Sequence, residues 1–202
     1  MKQVFIIGIL SVMLFVAGCA TQPAPPVTEY ALAPALDTAR PAKVKRPFAI
    51  KVAPIEASRI YQTSDFYYVD AGYQHNPYAY SRWVDAPVRM LQLVLQDRLE
   101  QSGLFKAVLP SSSMLPAELR LEITLYDFSH HLGEAGASAG VVRLQVYLVD
   151  IKKGRLLASQ QFAARVPATG KSAAGGVSAI NAAVSDILSR LIDWLDSTAA
   201  AR

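Results

Sequence analysis

The chain has 202 residues, a formal net charge of +4, 52% hydrophobic residues and one cysteine. A basic excess this slight does not argue for nucleic-acid binding. A single thiol excludes an intramolecular disulfide and lacks the companions of a zinc or iron–sulfur site.

Lys2 is the only charge before Cys19, and Val4 to Val16 is apolar or small, interrupted only by Gly8 and Ser11. This is the pattern of a secretory n-region and h-region. The run is shorter than the roughly 20 apolar residues that span a bilayer and stops at Gly18. Ala17 and Gly18 before Cys19 resemble the lipobox of bacterial lipoproteins. That resemblance implies a signal peptide of residues 1–18, diacylation of the Cys19 thiol, and cleavage that leaves Cys19 as the acylated N-terminus. Each buried methylene contributes about 0.8 kcal/mol, so one acyl chain holds marginally and two or three hold effectively permanently. Without residues 1–18, which carry one lysine, the net charge is +3. Ala20, where an aspartate would stand in an inner-membrane lipoprotein, implies by resemblance to enterobacterial lipoproteins an outer-membrane destination facing the periplasm.

Residues 19–46 carry prolines at 23, 25, 26, 34 and 41 and the basic cluster Lys43, Lys45, Arg46. Such a segment favours extended conformations and reads as a tether. Within it, Thr28 to Pro34 (TEYALAP) can dock as an edge strand.

Residues 47–202 read as one domain, an ordinary size for a single core. In FAIKVAPI, Phe48, Ile50 and Val52 alternate with Ala49 and Lys51, a half-buried strand. Val88, Leu91, Leu95 and Leu99 repeat at helical spacing, with Asp85 as N-cap and Gly103 as stop. FKAVL, ELRLEITLYDF, GVVRLQVYLVD and RLLASQQFAARV then predict four strands, the last two joined by a turn at Lys152–Gly154. Val177, Ile180, Val184, Ile187, Leu191 and Leu195 define a second amphipathic helix. The expected fold is α+β: a single mostly antiparallel or mixed sheet with both helices on one face.

Between the first strand and the first helix, Tyr61 to Trp83 holds eight of the 18 aromatic residues, enough to ask whether they serve core or surface. Alternation puts Phe66 and Tyr68 on one side and Tyr67 and Val69 on the other, with a turn at Asp70–Gly72. Two readings follow. The rings cover the sheet under the first helix, or they form a partner-binding rim of Tyr67, Tyr78, Tyr80, Arg82 and Trp83, residue types enriched at hot spots.

No residue earns a catalytic label. Gly136–Gly140 (GASAG) matches the nucleophile-elbow spacing, but a strand follows Ser138 and His75, His130 and His131 all lie upstream. Gly170, Lys171 and Ser172 copy the end of a phosphate-binding loop, whose first glycine is replaced by Arg165. His130 and His131 are adjacent on a strand end, point to opposite faces and cannot share a metal; solvated positions are expected for them. Glu118 and Glu122 flank Arg120, which is expected to pair with both. No cofactor or metal is expected.

IKVAPI, the aromatic stretch running into YSRWVDAPVRMLQLVLQDRLEQSGLFKAV, and AINAAVSDILSRLIDWL together resemble the auxiliary lipoproteins of ABC-type transporters. These include the paraquat-inducible lipoprotein C group, which accompanies MCE-domain proteins. The resemblance spans Tyr30 to Leu195 and is best at Tyr30, Leu32, Arg82, Trp83, Leu99, Gly103 and Phe105. It implies a non-catalytic part in envelope lipid transport, with an MCE-domain protein and ABC transporter components as partners, and leaves room for a homo-oligomer. The competing expectation is a structural or assembly lipoprotein of another envelope machine, such as a secretion or outer-membrane biogenesis complex.

Overall fold

The computed structural model describes residues 24–35, 45–70 and 72–200. Cys19, residues 1–18 and the start of the tether lie outside them. Nine strands and two α-helices follow in the order β1 (Thr28–Tyr30), β2 (Arg46–Val52), β3 (Glu56–Ala57), β4 (Asp65–Val69), β5 (His75–Trp83), α1 (Pro87–Gln101), β6 (Phe105–Pro110), β7 (Leu119–Leu132), β8 (Ser138–Asp150), β9 (Arg155–Pro167) and α2 (Ala173–Ala200). The fold is the expected α+β, and the sheet is mixed.

β7 is the spine. Along one edge it pairs in turn with β2 at Leu119–Leu121, β3 at Thr124–Leu125 and β4 at His130–His131, all parallel to it. β6 extends the sheet beyond β2, while β5 and then β1 extend it beyond β4. On its other edge β7 forms an antiparallel meander with β8 and β9. Leu119, Leu121, Ile123 and Leu125 alternate inward along β7. A bulge between Leu125 and Asp127 then shifts the register and turns Phe128 and His130 inward instead. Val142, Leu144, Val146 and Leu148 of β8 line the same face.

Leu91, Leu95 and Leu99 of α1 and all six residues of the α2 repeat join that single core. Both helices therefore cover one face of the sheet. The α1 boundary falls one residue later than expected: Ala86 holds the N-cap position with Pro87 in the first turn, and Asp85 instead accepts a hydrogen bond from Ala86 N at 2.7 Å and pairs with Arg89. Gly103, at φ 61°, ends the helix in the left-handed region that favours glycine.

α2 begins at Ala173, a turn before the apolar repeat. Its Gly176 permits close approach to the sheet. A Cβ on Gly176 would stand 2.5 Å from Nδ1 of His130, and one on Gly140 of β8 would stand 2.4 Å from the Ile180 nitrogen. Arg46, assigned to the tether from sequence, opens β2 and pairs with Asp196 at 2.5 Å. Residues 28–35 also belong to the folded unit: β1 pairs parallel to β5, Leu32 is buried, Ala33 N donates to Asn181 Oδ1 at 2.7 Å and Ser185 Oγ donates to the Ala35 carbonyl at 2.6 Å.

Candidate functional site

The aromatic stretch folds as the antiparallel hairpin β4–β5 near one end of the sheet, between β7 and β1. A register shift between Asp65 and Tyr67 loops three extra residues into β5, which separates its two ends. Phe66 is fully buried, with Tyr78 and Trp83 rings each 4.9 Å away. Trp83 also meets Phe128 at 5.4 Å and is 1% exposed. The expectation that Trp83 belongs to a partner-binding rim is thereby corrected: it is a core ring, on the part of β5 that pairs with β1.

Tyr78 bridges core and surface. Its ring stands 4.9 Å from Tyr68, and its hydroxyl is hydrogen-bonded to Nδ1 of His130 at 2.8 Å, with the Lys171 carbonyl at 3.3 Å. Burial, followed by the influence of Tyr68, pushes the Tyr78 phenol up to about 12. His130 is not the solvated residue expected from sequence: the bulge in β7 turns it inward and Gly176 closes over it. Its Nε2 is buried without a partner among the described residues. Burial, then the neighbouring His131, holds its pKa below the ordinary histidine value.

Tyr67 is half-buried and its hydroxyl donates to Asp65 Oδ2 at 3.3 Å. Its phenol is raised first by burial and then by that carboxylate. Tyr80 is 51% exposed, and Arg82 lies in solvent, where it grips Glu29 of β1 through Nε at 3.0 Å and Nη2 at 2.5 Å. The five sequence-selected residues thus divide into a surface set, Tyr67, Tyr80 and Arg82, and a supporting set, Tyr78 and Trp83. Sequence reasoning missed Tyr73, the most exposed aromatic of the hairpin at 89%. Its one signal was its place in the turn.

The polar clusters are spent on structure. On the sheet face away from Tyr78, Asp127 accepts from Ser129 and from Tyr61 at 3.3 Å, and its second oxygen meets His131 Nε2 at 2.9 Å. Burial opposes the charge on Asp127, yet the hydrogen bonds from His131 and Ser129 outweigh it and lower its pKa. Because the Ser129 hydroxyl is turned to the carboxylate rather than to His131, this is not a nucleophile–base pair. Ser138 opens β8 and donates to the Gly170 carbonyl at 2.6 Å, away from any elbow geometry. Arg120 pairs with Glu122 at 3.2 Å, while Glu118 is held by Lys152 at 3.1 Å and by Ala49 N at 2.9 Å. Among the described residues no three His, Cys, Asp or Glu are placed to hold a metal. An open groove of about 390 Å³ runs beside α1, lined by Ile55, Val88 and Leu93 with Gln92 and Gln96.

A mixed sheet with a β7 spine and two helices on one face defines an α+β domain whose described polar clusters tie elements of the fold together. The family model for the ABC-type transport auxiliary lipoprotein component matches residues 30–191, and the chain belongs to that family. Its members are lipoproteins that accompany ABC-type transport. A solved structure from Xanthomonas campestris is similar at TM-score 0.77 and 22% identity, covering 86% of this chain and 98% of that one. The hypothetical protein CT253 from Chlamydia trachomatis is similar at TM-score 0.57 and 8% identity, covering 78% and 100% respectively. These two share the fold. Comparison with curated proteins finds no match.

Proposed function

We propose that this chain is an outer-membrane lipoprotein, anchored through acylated Cys19 and facing the periplasm. In this reading it serves as a non-catalytic adaptor that binds an MCE-domain partner of an ABC transporter and supports lipid traffic across the envelope. The observation that carries the reading is the family match over residues 30–191. The lipobox-like sequence at Cys19 supports the anchor. The polar clusters that tie elements of the fold together support a binding rather than a chemical role. On this reading the flank of the hairpin offers the contact: Tyr67, Tyr80 and Arg82 present their polar ends to solvent, while Tyr78 and Trp83 fix the strand that carries them.

A photo-cross-linker at Tyr80 in native membranes should recover an MCE-domain protein, and a deletion strain should become sensitive to detergent. Cross-links leading only to secretion or assembly machinery, with an intact barrier in the deletion strain, overturn the reading in favour of an assembly lipoprotein. Cys19→Ser should abolish acylation, and mass spectrometry of the membrane fraction showing an unmodified Cys19 refutes the anchor.

A further inference from the structure

We infer that the β4–β5 turn, with Tyr73 at its tip, is a membrane-contact surface that rests on the headgroup region of the bilayer holding the chain's own acyl anchor. This rests on the reading of Cys19 as the acylated N-terminus.

Direction comes first. β4 runs toward the turn at residues 70–74, β5 runs away from it, and β1 is parallel to β5. The chain preceding Thr28 therefore leaves the sheet toward the turn end. The same end carries the β7–β8 connection and the β9–α2 connection with exposed Lys171, because His131, Ala139 and Pro167 lie level across the sheet.

Distance comes next. Thr28 is level with Ser81, beside the Asp65–Arg82 pair, and the hairpin continues past that pair to Val69 and His75 before turning. Four strand residues and a further two in the turn place the tip roughly 20 Å beyond Thr28, at about 3.3 Å per residue. From Cys19 to Thr28 the chain advances nine residues. Three of these residues are prolines, so the link is drawn out and spans at most about 28 Å at about 3.1 Å per residue. The anchor thus holds the bilayer surface at about the height of the tip. Contact follows from the short link, at an effective concentration that requires little affinity from the tip itself.

The tip's own chemistry agrees. Tyr73 is 89% exposed and holds φ at 60°, a left-handed conformation that a bulky residue rarely adopts. The turn is built by Asp70, whose carbonyl accepts from Tyr73 N at 3.1 Å and whose carboxylate accepts from Gly72 N at 2.9 Å and Gln74 N at 3.3 Å. Glycine or asparagine suits that backbone better, yet the position carries an amphipathic ring of the kind that sits at membrane interfaces. Asp70 is occupied by the turn, and Tyr73, Gln74, His75 and Lys171, with the acid Glu134, are among the exposed groups of this end.

The test uses the full mature lipoprotein in vesicles of phosphatidylethanolamine and phosphatidylglycerol. Tyr73→Cys and, as a second position that spares the left-handed residue, Gln74→Cys receive a fluorescent label; the native thiol is already acylated. Met114→Cys, on the β6–β7 loop far from the turn end, is the reference. A water-soluble quencher should reach the tip labels severalfold less than the reference label, and lipid-borne quenchers should reach them more. Lengthening the link by a glycine–serine insert after Ala20 should remove the protection. Tip labels quenched like the reference, in protein that floats with the vesicles, overturn the inference alone. Protein that does not float with the vesicles overturns the anchor and this inference together.

Discussion

The two ends of one strand, β5, carry aromatic residues with opposite fates. At its C-terminal end Trp83 is packed against Phe66 and Phe128 and is 1% exposed, whereas just before its N-terminal end Tyr73 is 89% exposed. The difference lies in what stands beside each. Trp83 has β1 and the core next to it, while Tyr73 sits on a turn with nothing packed over it. Aromatic density in a sequence marks a region where rings matter, but only the pairing partners decide which rings build the core and which stay in solvent.

The contrast is broken most strongly at its buried end. Trp83→Ala should cost about 3–5 kcal/mol of unfolding free energy. Tyr80→Ala, on the same strand, should stay within about 0.5 kcal/mol, since half of its surface is already in water. Urea denaturation of both variants measures the gap; similar losses would mean that the hairpin is packed as one unit.

Midway along the hairpin, Tyr78→Phe should cost about 1–3 kcal/mol by leaving Nδ1 of His130 buried without its hydroxyl partner. The same pair sets a pH dependence. The folded-state pKa of His130 is lowered, so the unfolded chain binds its proton more readily. Stability from this group is whole above the ordinary histidine pKa of about 6.5, and is lost as pH falls from there toward the lowered folded value. Thermal melting from pH 7.5 down to 5 should show that decline, and His130→Gln should flatten it; an unchanged slope would remove His130 as its source.

At the exposed end the sign should reverse. Tyr73→Gly relieves a left-handed conformation that costs a non-glycine residue about 1 kcal/mol, so it should raise stability by up to that amount. A loss instead would show that the ring contributes to folding. Smallest of all, Arg82→Ala should cost about 0–1 kcal/mol, because its pairing with Glu29 is open to solvent and screened by salt. The loss should shrink further in high salt.

Much of the fold was legible because burial leaves a period. The six apolar positions of α2 from Val177 to Leu195 are all buried, and the strands β6 to β9 fall where alternation and turn residues place them. What was not legible depends on neighbours distant in sequence. His130 looked like a solvated strand-end residue because the bulge at Tyr126 changes which side of β7 faces inward, and no local pattern announces a bulge. α2 starts before its apolar repeat, with Gly175 packed against Thr169 of the preceding connection and Gly176 against His130 of β7, contacts that hydrophobic periodicity cannot register. Of the candidate surface, sequence selected Tyr67, Tyr80 and Arg82 by composition alone. It missed Tyr73 because a turn residue contributes to no periodic face.

The seating of residues 28–35 bears on how the molecule carries load. Tension applied at the N-terminus acts along the axis of β1, so its ladder with β5 is strained in shear, with its hydrogen bonds stretched together rather than peeled apart one after another. Behind that ladder Leu32 is lodged in the core, and the backbone of Ala33 and Ala35 is fastened to Asn181 and Ser185. A pull on the N-terminus is thereby spread over the sheet edge and α2, two parts of the molecule far apart in sequence. Under the anchoring proposed for Cys19, the domain would transmit a mechanical force through that end without unravelling from it.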